Sequence, residues 1–138
     1  MKKILFSLVA FCVLQVAAAQ EQVVATGPQI KFEETLFKFE NIIQGDTVEH
    51  TFTFENVGTE PLKILSARGS CGCTVPKYSK DPIAPGEKGE VFVRFKSAGK
   101  RGMQNKTVTL ITNMKDNQQV VLTIRGEVML RDTEKPEE

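Results

Sequence analysis

The chain has 138 residues, a formal net charge of +1, 41% hydrophobic residues and 25% charged residues. This is the balance of a soluble globular protein, at a length suited to one domain, and it lacks the basic footprint of a nucleic-acid binder. Trp is absent and Phe outnumbers Tyr nine to one, so the aromatic side chains are nearly all core-forming.

Residues 1–19 read as a cleaved signal peptide. Lys2 and Lys3 give a positive start, Ile4 to Val16 is a short apolar run, and Ala17-Ala18-Ala19 supplies small residues for cleavage. The run is too short for a membrane span, which needs about 20 apolar residues. Cys12 lies inside it, preceded by Phe11 where a lipid-anchor motif wants a small residue, so it is expected to be an apolar filler. The chain is therefore expected to be exported, periplasmic or secreted. It would meet an oxidising compartment, where a cysteine pair is expected to be oxidised unless metal or a reductant holds it.

Residues 20–28 form a short polar lead and 29–130 the folded domain. Ile30-Lys31-Phe32 and Phe37-Lys38-Phe39 alternate as strands, and Gln44-Gly45-Asp46 turns the chain. Val48, His50, Phe52 and Phe54 then share one face of the clearest strand, with Thr and Glu on the other. Asn56-Val57-Gly58 is turn chemistry. Pro61 to Leu65 begins a strand that runs into a cysteine stretch, and 79–88 is a loop broken by Pro82, Pro85 and Gly86. Strands follow at 90–95, 106–112 and 119–128. Residues 98–102 read as a hairpin turn and 113–117 as a polar turn. Residues 131–138 are a charged tail, expected to be disordered. About seven short strands, with turn signals at roughly 8–12-residue spacing, predict an all-β fold: a single Ig-like antiparallel β-sandwich.

The stretch Arg68-Gly69-Ser70-Cys71-Gly72-Cys73-Thr74 holds both cysteines outside the signal segment. Residues i and i+2 of an extended strand lie about 6.6–6.8 Å apart, too far for a disulfide. Pairing therefore requires a bend, and Gly72 is read as the residue that permits it. Four readings stand open: a local disulfide or inert thiols, thiol–disulfide exchange, a soft-metal site for Cu(I) or Zn(II), or a tether to a partner. Arg68, Lys77 and Lys80 would favour a thiolate. His50, the sole histidine, is the possible third metal ligand, and Met103 and Met114 are softer candidates; no cofactor is otherwise expected.

Ser66 and Ser70 lack a nearby base and a Gly-x-Ser-x-Gly elbow, and no phosphate-binding glycine loop occurs, so the chain is not expected to be an enzyme. Lys96, Lys100, Arg101 and Lys106 read as a solvated hairpin that discourages edge pairing. Phe92, Ile111 and Val121 alternate out of their strands' apolar faces and would form a partner surface if they met.

Phe39-Glu40-Asn41-Ile42, Thr51-Phe52-Thr53-Phe54, Pro61-Leu62, Ser70-Cys71-Gly72-Cys73-Thr74, Ile83-Ala84-Pro85-Gly86 and Gly126-Glu127-Val128 form a spaced set. It resembles the exported bacterial family catalogued as domain of unknown function 1573, over roughly residues 30 to 128. More distantly it is similar to the Ig-like domains of the major-sperm-protein and PapD-like group, which mostly bind other proteins. The resemblance implies an exported Ig-like module. The expected role is protein interaction or envelope structure, with another envelope or extracellular protein as partner, no nucleic acid and no membrane span. The alternative is a thiol or soft-metal site at Cys71 and Cys73.

Overall fold

The computed structural model of the protein describes residues 26–131. The signal segment with Cys12, most of the 20–28 lead and residues 132–138 lie outside the described residues.

Eight strands follow one another: β1 (Ile30–Phe32), β2 (Leu36–Ile43), β3 (Thr47–Asn56), β4 (Ile64–Gly69), β5 (Thr74–Tyr78), β6 (Lys88–Lys96), β7 (Gly102–Thr112) and β8 (Gln119–Met129). They form two four-stranded sheets, ordered β1-β3-β6-β5 and β2-β8-β7-β4. The alternation seen in the sequence sets which face is inward. Val48, Phe52 and Phe54 of β3 and Val91, Val93 and Phe95 of β6 are buried on one sheet. Phe39, Val108, Leu110, Leu122, Ile124 and Val128 oppose them from the other. Phe39 and Phe95 meet across the gap with ring centroids 5.7 Å apart. This is the two-faced core that a sandwich requires.

Four features depart from expectation. The Cys stretch does not merely end a strand; Thr74–Tyr78 forms an eighth strand at the edge of the first sheet. It carries Pro76, and an edge strand tolerates the missing N–H. The second sheet is mixed, because β2 pairs with β8 in parallel. These strands come from the two ends of the domain, and no local pattern encodes how they pair.

Residues 98–102 do not close a hairpin either. β6 and β7 lie in different sheets, so the segment arches from one to the other. The buried Ser97 fixes this arch: its hydroxyl donates to Asp46 O (2.7 Å) and accepts from Gly45 N (3.0 Å). The basic residues here do not guard an edge, since β6 and β7 are both interior strands.

Asn56, expected to be a plain turn residue, is fully buried. Its Nδ2 donates to Glu60 O (2.8 Å) and Ile83 O (2.9 Å). Its Oδ1 accepts from Gly58 N (3.0 Å) and Gln29 N (3.3 Å). All of its amide capacity is used, as a buried polar side chain needs.

Candidate functional site

The order of strands places β4 and β5 at the same side of the sandwich, one at the edge of each sheet. The cysteine turn is the short link between them. Ser70 N still bonds Thr107 O of the second sheet at 2.8 Å, while Cys73 O already accepts from Lys96 N of the first at 2.9 Å. Thr74 N donates to Cys71 O (3.1 Å), closing a turn over Cys71–Thr74. The bend brings the two cysteine Cα atoms to 5.2 Å and a disulfide joins them. Cys73 packs against the core, and both cysteines stay partly exposed. The buried Thr74 hydroxyl lies 3.6 Å from Cys71 Sγ and 3.9 Å from Cys73 Sγ.

Gly72 stands in the turn as expected, but the bend does not need a glycine. Its φ lies outside the left-handed region, and a Cβ there would meet nothing within 4 Å. The glycine that the turn requires is Gly69. A Cβ on Gly69 would overlap the carbonyl oxygen of Thr74, so only a bare Cα lets the chain fold back so closely. At Gly72 a side chain would extend into open space.

His50 is not brought to the sulfurs. It lies on β3, opposite Val93, and β5 is on the far side of β6. Two strand spacings are about 9–10 Å. The ring stacks on Phe37 with centroids 3.8 Å apart, and its Nε2 lies 2.7 Å from Glu34 Oε1, which accepts the hydrogen bond. Met114 is buried in the core and Met103 lies exposed on β7. Among the described residues no three His, Cys, Asp or Glu side chains form a metal-holding group. Two sulfurs bonded to each other offer no thiolate, so this donor set does not fit the four ligands that zinc wants.

Phe92, Ile111 and Val121 do not make one patch. Phe92 belongs to the first sheet, whereas Ile111 and Val121 belong to the second, and all three face outward. Thr109 opposes Val121 and Gln119 opposes Ile111, so the latter two are diagonal neighbours on the outer face. The guanidinium of Arg94 lies 5.7 Å from the centroid of the half-buried Phe92 ring, and the same residue bonds Glu49 at 2.8 Å. The partner surface expected of these three therefore divides between opposite faces, because a side chain's alternation tells its face but not its sheet.

Other apolar residues are exposed on the edge strands: Val75 on β5 (39%), two residues past Cys73, and Leu65 at the far end of β4 (57%). Between Leu65 and the turn runs a groove of about 620 Å³ lined by Ser66, Ala67, Arg68, Gly69, Ser70, Thr109 and Ile111. Only the run of small and hydroxyl residues before Cys71 hinted at this groove.

Residues 30–128 match the family model described as "Protein of unknown function (DUF1573)", and the chain belongs to that family. No functionally curated protein matches it. Among solved structures, it is similar to a protein of unknown function from Porphyromonas gingivalis W83 (15% identity, TM-score 0.64). The match covers 80% of this chain and 51% of that one, so this chain spans about half its length. It is similar also to the ASH/PapD-like domain 7 of human CEP192 (13% identity, TM-score 0.56; 75% of this chain, 87% of that one). The VesB protease of Vibrio cholerae matches at 18% identity and TM-score 0.55, over 73% of this chain and 32% of the protease. At such identities the likeness shows the fold alone.

Proposed function

We propose that this member of the DUF1573 family is an exported, non-enzymatic interaction module that takes a protein partner at the β4–β5 side of the sandwich, around the Cys71–Cys73 turn. The observation that carries this reading is the exposed apolar side chain of Val75, two residues past the disulfide on an edge strand, beside a turn whose Gly72 could carry a side chain without a clash.

The form of the edges indicates how a partner would be held. Each edge strand carries a feature that blunts pairing with a further strand. β1 has three residues. β2 is irregular between Phe39 and Ile42, with Asn41 at φ 56°. β4 is irregular between Ile64 and Ser66, and β5 contains Pro76. Such edges favour contact through side chains over addition of a strand.

The test is a photo-activated cross-linker at Val75, with Lys31 on the far side as control, in cells that export the protein. A recurrent adduct at Val75 and none at Lys31 is expected. Equal yields at both positions, or none at Val75, would refute the reading.

The exposed disulfide favours a second reading, thiol–disulfide exchange with a partner dithiol. A partner thiolate attacks Cys71 Sγ, a mixed disulfide forms, the Cys71–Cys73 bond breaks, and Cys73 leaves as thiolate beside the Thr74 hydroxyl. Attack by the partner's second thiol releases Cys71, oxidises the partner and leaves this pair reduced by two electrons. In Cys73→Ser the reverse step is the expected sign: the Cys71 thiolate attacks the disulfide form of the partner, one partner sulfur leaves as thiolate, and the mixed disulfide stays trapped because no second cysteine resolves it. A Cys71 thiol that stays free in the exported variant would exclude this chemistry.

A further inference from the structure

The charges of the molecule are segregated across its width. Between Glu60 and Asp81 the sequence has no acidic residue, and Lys63, Arg68, Lys77 and Lys80 are its cations. Between Glu90 and Asp116 there is again none, against Arg94, Lys96, Lys100, Arg101, Lys106 and Lys115. These two stretches form β4, the cysteine turn, β5, most of β6, the arch and β7. Residues 29–60, which form β1 to β3, show the reverse, with seven acidic residues against Lys31 and Lys38. The sheet orders put β4 and β5 at one side and β1 and β2 at the other. One side of the sandwich thus carries a cationic excess, interrupted only by Asp81, Glu87 and Glu90 around the β5–β6 loop, with the disulfide turn within it.

The fold does not account for this charge. Among the described residues only Arg94 and Lys115 of these ten cations form ion pairs, with Glu49 and Glu60. Edge protection is no explanation for Lys96, Lys100, Arg101 and Lys106, because they flank interior strands. A cluster of like charges repels itself and lowers stability, while it speeds and steers the approach of an oppositely charged partner. The groove beside the turn has matching chemistry. Arg68 supplies a planar cation suited to a carboxylate, and Ser66, Ser70 and Thr109 supply hydroxyl donors around it.

We propose that the cationic side around the Cys71–Cys73 turn binds an acidic protein segment, with Arg68 and the groove hydroxyls taking its carboxylates. This deepens the interaction-module reading and rests on it. A polypeptide fits better than a lipid surface, because the cations occupy both sheets and the arch between them instead of a single plane. It fits better than a nucleic acid, because, of the aromatic residues of this side, Phe95 is buried and Tyr78 and Phe92 are half-buried, so they offer no platform for bases.

The experiment uses the isotope-labelled protein, with a poly-glutamate peptide, phosphatidylglycerol vesicles and an oligothymidylate as separate probes. Poly-glutamate is expected to shift amide resonances in β4, the turn, β5 and the 97–101 arch, and to leave β1 and β3 unmoved. Arg68→Gln with Lys77→Gln should weaken it by about tenfold or more, the loss expected when a charge-assisted hydrogen bond goes, while Lys38→Gln changes nothing. Shifts centred on β1 to β3, an unchanged affinity in the double variant, or tighter binding of vesicles or oligothymidylate would overturn the proposal. If Val75 cross-links a partner that the double variant binds as well as the parent, this inference falls and the interaction-module reading stands. Failure of the Val75 cross-link itself removes that reading.

Discussion

The Asn56 corner and the cysteine turn are both points where the chain leaves a strand, yet they are built for different ends. Asn56 is a buried amide whose four hydrogen bonds tie the end of β3 to Gln29, Gly58, Glu60 and Ile83. The cysteine turn is half-exposed, and its disulfide spans only two positions in sequence. A covalent bond draws attention in a sequence, but closing so short a loop removes little unfolded-state entropy. The comparison teaches that a plain amide can tie more of the chain together than a disulfide that closes so short a loop.

Variants sharpen this contrast, beginning with the core that both corners frame. Phe52→Ala removes a buried ring on the inner face of β3 and should cost about 3–5 kcal/mol, read as a lower urea midpoint at unchanged slope. A midpoint equal to the parent's would contradict the assigned face. Asn56→Ala should cost about 2–4 kcal/mol, because two carbonyls and two amides lose their partner at once; a loss below about 1 kcal/mol would show that water replaces it. Gly69→Ala forces Cβ against the Thr74 carbonyl and should cost about 1–3 kcal/mol.

Smaller effects are expected at the sulfurs themselves. Cys71→Ser with Cys73→Ser should cost no more than about 1–2 kcal/mol, below the usual range for a native disulfide. A double variant that fails to fold would make the bond structural. Gly72→Ala, placed in open space outside the left-handed region, should stay within about 0.5 kcal/mol of the parent. A larger loss would restore the turn-enabling role that its position first implied.

What the sequence disclosed follows from how local each signal is. Alternation from Val48 to Phe54 and from Val91 to Phe95 defined inner faces that the structure keeps. β5 escaped notice because Pro76 and Lys77 break its pattern, as an edge strand permits. The arch at 97–101 uses the same turn residues as a hairpin. Only the bonds of Ser97 to Gly45 and Asp46, some fifty residues away, distinguish the two. The site was legible as two cysteines and a bend, but Gly72 received the role that Gly69 performs, since the approach of Thr74 is a feature of three-dimensional packing. The cationic side was visible only as separate lysines until the sheet order gathered them.

The central claim, that the cysteine turn serves binding and not folding, is tested most directly by one paired measurement. The yield of the Val75 cross-link, per folded molecule, is compared in Asn56→Ala and in Cys71→Ser with Cys73→Ser. The account predicts that the amide variant loses stability and keeps its adduct, while the cysteine variant keeps most of its stability and loses its adduct. An unchanged adduct in the cysteine variant, or its collapse to an unfolded chain, would contradict it.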